Sequence, residues 1–269
     1  MTVDARALTT RFLVACALAR AGGEIAKQRF LHRDSFTVGF KGPQDYVTDV
    51  DGEVERVIAT RLHEVFPGDG FIGEEGEGRV GALGAPIWVV DPIDGTANFA
   101  RGAPHFCVSI AAVLDREVEI GVIYDPMTDE LFAARRGAGA TLNGAAMRVS
   151  QTLDLKAASV EVGWNMRTGP DAFVGLLSRV VAAGSAVVRS GSGALGLAYV
   201  AAGRRDGYVE NHMNAWDCLA GVALVREAGG YVSDFLAGEG LRDGNPILAC
   251  APGVKDALLR TAAIKGLVA

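Results

Sequence analysis

Cysteine is scarce and scattered in this chain of 269 residues: Cys16, Cys107, Cys218 and Cys250 form no C-x-x-C pair, and no histidine stands at zinc-ligand spacing. That excludes a disulfide-stapled scaffold and a structural zinc site, and it predicts reduced, mostly buried thiols in a cytoplasm. Positive charge is also short. With 26 basic against 32 acidic residues the formal net charge is −6, so the basic footprint of a nucleic-acid or anionic-membrane surface is missing. No apolar run approaches membrane-spanning length, and Asp4, Arg6, Arg11 and Arg20 interrupt the opening segment too often for a signal peptide. Internal repeats, low-complexity tracts and long charge runs are absent. A covalent nucleophile is absent as well: no serine has a paired His and Asp, no G-x-S-x-G elbow occurs, and His32, His63, His105 and His212 are isolated. These histidines read as structural or exposed.

What is present is ordinary in bulk, 49% hydrophobic and 22% charged, enough to bury a sizeable core as one large domain or two small ones. Apolar spacing predicts a helix over residues 5–30 and another carrying Val54, Val57, Ile58, Leu62, Val65 and Phe66, stopped by Pro67-Gly68. Asp49 and Asp51 then fall at or just before its N-terminus. Apolar runs at 106–114, 118–124 and 130–134 predict an antiparallel meander. After about residue 145 strands and helices alternate: strands at 158–162, 186–189, 207–210 and 247–250, helices at 170–183, 194–202, 215–228 and 254–264. The chain therefore divides into an α+β half over residues 1–145, holding most candidate metal ligands, and an α/β half over 146–269 that completes the site.

Chemistry concentrates at Trp88-Val89-Val90-Asp91-Pro92-Ile93-Asp94-Gly95-Thr96. An apolar strand runs into two carboxylates, a glycine and a hydroxyl, and Pro92, unable to donate to a ladder, is expected to end the pairing there. Open α/β sheets bind ligands at that end of their strands. Two aspartates offer hard oxygens to Mg²⁺, and free amides at Gly95 and Thr96 can face an anion. Mg²⁺ takes about six oxygens, so further acids are expected nearby. Glu74 and Glu75 in a Gly-rich turn, Asp217 opening a helix, and Asp45, Asp49 and Asp51 before another are the candidates. Each alone reads equally well as a cap or a solvated loop.

Together, D-Y-V-T-D-V-D, G-E-E, W-V-V-D-P-I-D-G-T-A-N-F, S-G-S-G-A and W-D-C-L-A-G followed by E-A-G-G resemble, in order and over nearly the whole chain, the inositol monophosphatase family of Mg²⁺-dependent, lithium-sensitive phosphatases. The resemblance implies a layered α-β-α-β-α sandwich, a homodimer, and two to three Mg²⁺ held by Glu74, Asp91, Asp94, Asp217 and the carbonyl of Ile93. It implies that Asp51 and Thr96 activate the attacking water, that Gly95 and Thr96 cradle phosphate, and that Gly191, Ser192, Gly193 and Glu210 line the alcohol side. The substrate is then a small phosphorylated alcohol, inositol 1-phosphate or a relative, hydrolysed by in-line attack of a metal-activated water with no covalent intermediate. No nucleic-acid or membrane partner is expected, although bacterial relatives can act through binding partners. Asn214 replaces the histidine of animal members, which leaves histidinol phosphate, fructose 1,6-bisphosphate and phosphoadenosine bisphosphate as alternatives. One rival enzyme class has its own motif. Gly191-Ser192-Gly193-Ala194-Leu195-Gly196 satisfies G-x-G-x-x-G before a helix, with Glu210 placed for a ribose, as in a nicotinamide oxidoreductase, but no acid/base pair for hydride transfer accompanies it.

Overall fold

Helical and extended segments alternate much as the apolar spacing predicts, in a computed structural model that describes residues 5–76 and 78–267. From the N-terminus, α1 (Ala5–Leu31) leads to a hairpin of β1 (Val38–Gly42) and β2 (Asp45–Thr48), then α2 (Asp49–Val65), β3 (Gly70–Gly73), β4 (Ile87–Asp94) and a short α3 (Thr96–Arg101). Next come β5 (Cys107–Leu114), β6 (Glu117–Asp125), β7 (Glu130–Arg135), β8 (Ala140–Leu142) and β9 (Ala145–Ala146). The rest runs β10 (Ser159–Val162), α4 (Pro170–Ala182), β11 (Ala186–Val188), α5 (Gly193–Ala201), β12 (Gly207–Met213), α6 (Ala215–Glu227), β13 (Tyr231–Val232), α7 (Gly240–Asp243), β14 (Asn245–Cys250) and α8 (Lys255–Ala262).

A 7-stranded sheet has the order β3-β4-β5-β6-β7-β8-β9, antiparallel except where β3 lies parallel to β4. A 5-stranded sheet has the order β11-β10-β12-β14-β13, with β11, β10 and β12 parallel. Helices α1 and α2 cover one face of the large sheet, α5 and α6 fill the space between the sheets, and α4 and α8 cover the far face of the small one. The layers are α-β-α-β-α, as expected. Both faces of the large sheet are buried, so β5 is buried along its whole length and shows no polar alternation. Cys107, Cys218 and Cys250 are buried and Cys16 is half-buried, all four as free thiols. Among the described residues no helix is long and apolar enough to cross a membrane.

The expectation that pairing stops at Pro92 is not met. Asp91 pairs with Ser109 and Asp94 with Cys107, so the ladder skips one residue and resumes. That bulge decides the site. Along β4, Trp88 and Val90 face α1 and α2 while Val89 faces α6; without the extra residue Asp91 and Asp94 would point to opposite faces. The bulge turns Ile93 toward α1 and α2 and returns Asp94 to the face of Asp91. The hairpin β1-β2 and strand β3 escaped the sequence reading, since stretches of four or five residues as mixed as Val38–Gly42, Asp45–Thr48 and Gly70–Gly73 lack a readable period.

Candidate active site

Three carboxylates meet where the sheets approach. Oxygens of Asp91, Asp94 and Asp217 lie within 4.8 Å of one another. Each side chain is aimed by the backbone: Asp91 Oδ1 accepts from Ile93 N at 3.0 Å, Asp94 Oδ2 from Ala194 N at 2.7 Å, and Asp217 Oδ2 from Asn214 N at 3.2 Å. The last bond belongs to a capping box that starts α6, with Asn214 as N-cap and Asp217 three residues in. Ser109 Oγ donates to Trp216 O at 3.2 Å, which ties the N-terminus of α6 to the residue paired with Asp91. Ser192 Oγ donates to Asp94 Oδ2 while accepting from Leu195 N at 3.2 Å as N-cap of α5. The N-terminal donors of α5 are thus spent on Asp94 and Ser192. A dinucleotide pyrophosphate would need those same amides, so the G-x-G-x-x-G match is a structural turn.

Glu74 follows the end of β3, whose last residue Gly73 pairs with Val90, and this sets it beside Asp91. Lys41 on the hairpin stands 3.8 Å from Glu74 and 2.5 Å from Glu75. Glu55, a buried acid of α2 that the sequence reading missed, holds the turn by accepting from Glu75 N at 2.8 Å. A Cβ on Gly73 would fall 2.3 Å from its carboxylate, so the turn requires glycine there. Asp51 lies in the first turn of α2, where its Oδ2 accepts from Thr48 N at 2.8 Å and Thr48 Oγ1 at 2.5 Å. Thr96 Oγ1 sits 3.1 Å from Asp51 Oδ1 and 2.8 Å from the carbonyl of Ile93. Gly95, at φ 98, turns the chain from β4 into α3 with its Cβ position only 3.0 Å from His105 O.

Glu74, Asp94, Gly95, Thr96 and Asp217 open on a cavity of about 210 Å³ that also borders Gly191, Ser192, Gly193 and Glu210. The predicted residues of the alcohol side are therefore adjacent to the acids. Gly191 takes φ 88, and a Cβ on Gly193 would meet Met213 Cε at 2.5 Å. Glu210 is buried, accepting from Tyr208 Oη at 2.6 Å and Asn165 Nδ2 at 2.8 Å. Neither partner was singled out from sequence.

Burial and crowding push these acids up. Asp91 lies well above the ordinary carboxylate range through burial, then through Glu74, Asp94 and Asp217. Burial first and then a neighbouring aspartate raise Glu74 to about 8 and Asp217 to about 7. Lys41 and Arg167 pull these two back without restoring the ordinary values. Asp94 is raised by burial against the pull of Ser192 and Ala194. Carboxylate oxygens of Asp91, Asp94 and Asp217 this close together, with neither thiolate nor imidazole among them, are a donor set that suits a hard divalent ion. Glu74, Asp91, Asp94, Asp217 and the carbonyl of Ile93 can hold it.

The model of the inositol monophosphatase family matches residues 8–265. Nus factor SuhB of Salmonella typhimurium (strain LT2) is 40% identical over 248 residues, covering 91% of this chain and 93% of that protein. Inositol-1-monophosphatase of Mesorhizobium japonicum is 39% identical over 260 residues, covering 95% and 96%. The crystal structure of extragenic suppressor protein suhB from Bartonella henselae superposes with a TM-score of 0.88 at 37% identity, covering 94% of this chain and 98% of that one. Carrying that match over nearly its whole length, the chain belongs to the inositol monophosphatase family.

Proposed function

We propose that this protein is a Mg²⁺-dependent phosphomonoesterase acting on a small polyol or sugar phosphate of the inositol 1-phosphate kind. The observation that carries the reading is the convergence of Asp91, Asp94 and Asp217 within 4.8 Å. When bound at Glu74, Asp91, Asp94, Asp217 and the Ile93 carbonyl, two or three Mg²⁺ would neutralise phosphoryl oxygens and make a neighbouring water more acidic. The chain's own groups do the rest. Thr96 Oγ1, donating to Asp51 Oδ1, has a lone pair free to take a proton from the attacking water as it passes its own proton to Asp51. Burial lifts Asp51 to about 6, where it can accept that proton near neutrality. Gly95 and Thr96 are assigned to the phosphate, and Gly191, Gly193 and Glu210 to the alcohol. Ser192 acts through Asp94, which its hydroxyl orients.

Relatives named inositol-1-monophosphatase support the substrate class. The test is phosphate release from a panel of phosphate monoesters, scored by kcat/KM with and without Mg²⁺. A polyol or sugar phosphate is expected to lead the panel, and release that survives exhaustive chelation would sink the reading. The same reading has the chain working as a cytoplasmic homodimer. Light scattering at micromolar concentration checks the assembly, and a monomer mass would refute it.

A further inference from the structure

Strand β10 carries an acid that the proposed chemistry does not use. Glu161 is 2% exposed and borders the same cavity as Glu210. Its Oε1 accepts from Ser190 N at 3.0 Å and from the Ser190 hydroxyl. Its Oε2 is buried with no hydrogen-bond partner. A buried carboxylate oxygen left unpaired is strongly unfavourable, so its retention beside an open cavity calls for a partner that arrives from outside. Glu161 pairs in register with Tyr208 on β12, and Tyr208 Oη donates to Glu210 at 2.6 Å, so both acids adjoin one tyrosine. A Cβ on Gly163, the residue after β10, would fall 2.1 Å from Glu210 Oε2, so only a glycine fits beside that carboxylate.

We propose that Glu161 is a specificity-determining residue that accepts a hydrogen bond from a substrate hydroxyl next to the one read by Glu210, selecting alcohols with hydroxyls on neighbouring carbons. The inference rests on the phosphatase reading and names the substrate's second recognition point. Two acids on one cavity can be met by two donors on one ligand, and each hydroxyl of a cyclitol or sugar supplies one. A phosphate ester of a simple alcohol leaves Oε2 as it finds it. Sites built around buried polar groups discriminate strongly against analogues that leave those groups unpaired.

Glu161→Gln separates this role from a merely structural one. The amide oxygen can still accept from Ser190 and so hold the Ser190-Gly191-Ser192 turn, while the amide nitrogen puts a donor where Oε2 stood. Wild-type and variant kcat/KM are measured with Mg²⁺ on D-myo-inositol 1-phosphate, on its monodeoxy analogues, and on p-nitrophenyl phosphate. The expected result is a fall of roughly 10–100-fold on inositol 1-phosphate, mostly in KM, with p-nitrophenyl phosphate changed by less than about 3-fold. One deoxy analogue should be penalised in the wild type and no longer in the variant. Equal falls on both esters, or no fall on either, would overturn the assignment. If histidinol phosphate leads the wild-type panel and alone suffers from the substitution, the partner is an ammonium and the polyol assignment is wrong. A wild type that releases phosphate from no ester at any Mg²⁺ concentration defeats the phosphatase reading itself, an outcome distinct from all of these.

Discussion

Asp51 and Thr96 differ from the other acids of the site in what they touch. Asp51 is held by Thr48 on one oxygen and faces Thr96 on the other, with a pKa lifted to about 6 mainly by burial. Asp51→Asn and Thr96→Ala leave Glu74, Asp91, Asp94 and Asp217 in place. Each is expected to lower kcat by roughly 10²–10⁴-fold while Mg²⁺ and phosphate still bind, which calorimetry beside steady-state kinetics will show. Near wild-type kcat would reject the pair as the proton-handling groups. Glu210 supplies a pH test of the folded state. Burial raises it from 4.5 to about 8, the bonds from Tyr208 and Asn165 and the charge of Asp217 adjusting the result. Its folded pKa exceeds its unfolded one, so its contribution to stability is fully present below 4.5 and lost as the pH rises through about 8. Denaturant unfolding at about pH 5 and about pH 9 should show the wild type losing more stability than Glu210→Gln over that span, by a few kcal/mol. Parallel pH dependence in the two proteins would mean that Glu210 ionises freely.

At the scale of elements, α6 is positioned by a glycine as much as by its cap. Gly121 on β6 lies under α6, and a Cβ there would fall 2.3 Å from Ala220 O and 2.8 Å from Ala223 Cβ. A backbone carbonyl cannot swing aside, so Gly121→Ala must lift the helix whose first turn carries Asp217. A stability loss of about 1–3 kcal/mol is expected, with a fall in kcat of up to roughly 10²-fold from the displaced carboxylate. Gly68→Ala, which meets nothing within 4 Å, is the control and should change neither. Thermal unfolding and kinetics on both variants decide it. The same elements show what the sequence could and could not convey. Helices α1 and α2 were legible because their apolar residues recur at helical spacing and Pro67-Gly68 stops the second, whereas α6, buried along an unbroken run from Cys218 to Val225, offers no such face. Asp91, Asp94 and Asp217 were legible as candidates because their motif joins acids to a strand end and a helix start. The bulge at Pro92 was not, since proline predicts a lost hydrogen bond but not whether the partner strand resumes one residue later. Glu55 and Glu161 were equally hidden. One reads as a helix-surface acid and the other as a lone acid in a four-residue strand, and only the packing that buries them reveals their partners.

The whole molecule folds around a concentration of like charge. One apolar core runs from Val89 and Cys107 of the large sheet through Leu219 of α6 to Ile247 of the small sheet, and the acids lie at its edge. Folding gathers Glu74, Asp91, Asp94 and Asp217 against burial that raises every one of them, and like-charged neighbours raise Glu74, Asp91 and Asp217 further. Hydrophobic burial must therefore hold the apo site together, and stability should rise when one of these charges is removed at constant shape. Asp91→Asn does that, because its side-chain carbonyl can keep the bond from Ile93 N. Without divalent cation the variant should unfold at a higher temperature than the wild type. Adding Mg²⁺ should reverse the order. A ligand bound only by the folded state stabilises it by RT ln(1 + [L]/Kd), about 2.7 kcal/mol at a hundred times Kd, and the wild type should gain this while the variant gains little. Thermal melts of both proteins across a Mg²⁺ titration, repeated after chelation, test the two halves together. If Asp91→Asn is less stable than wild type without metal and responds to Mg²⁺ as fully as wild type does, then Asp91 is a structural acid and the cation site must be drawn from other residues.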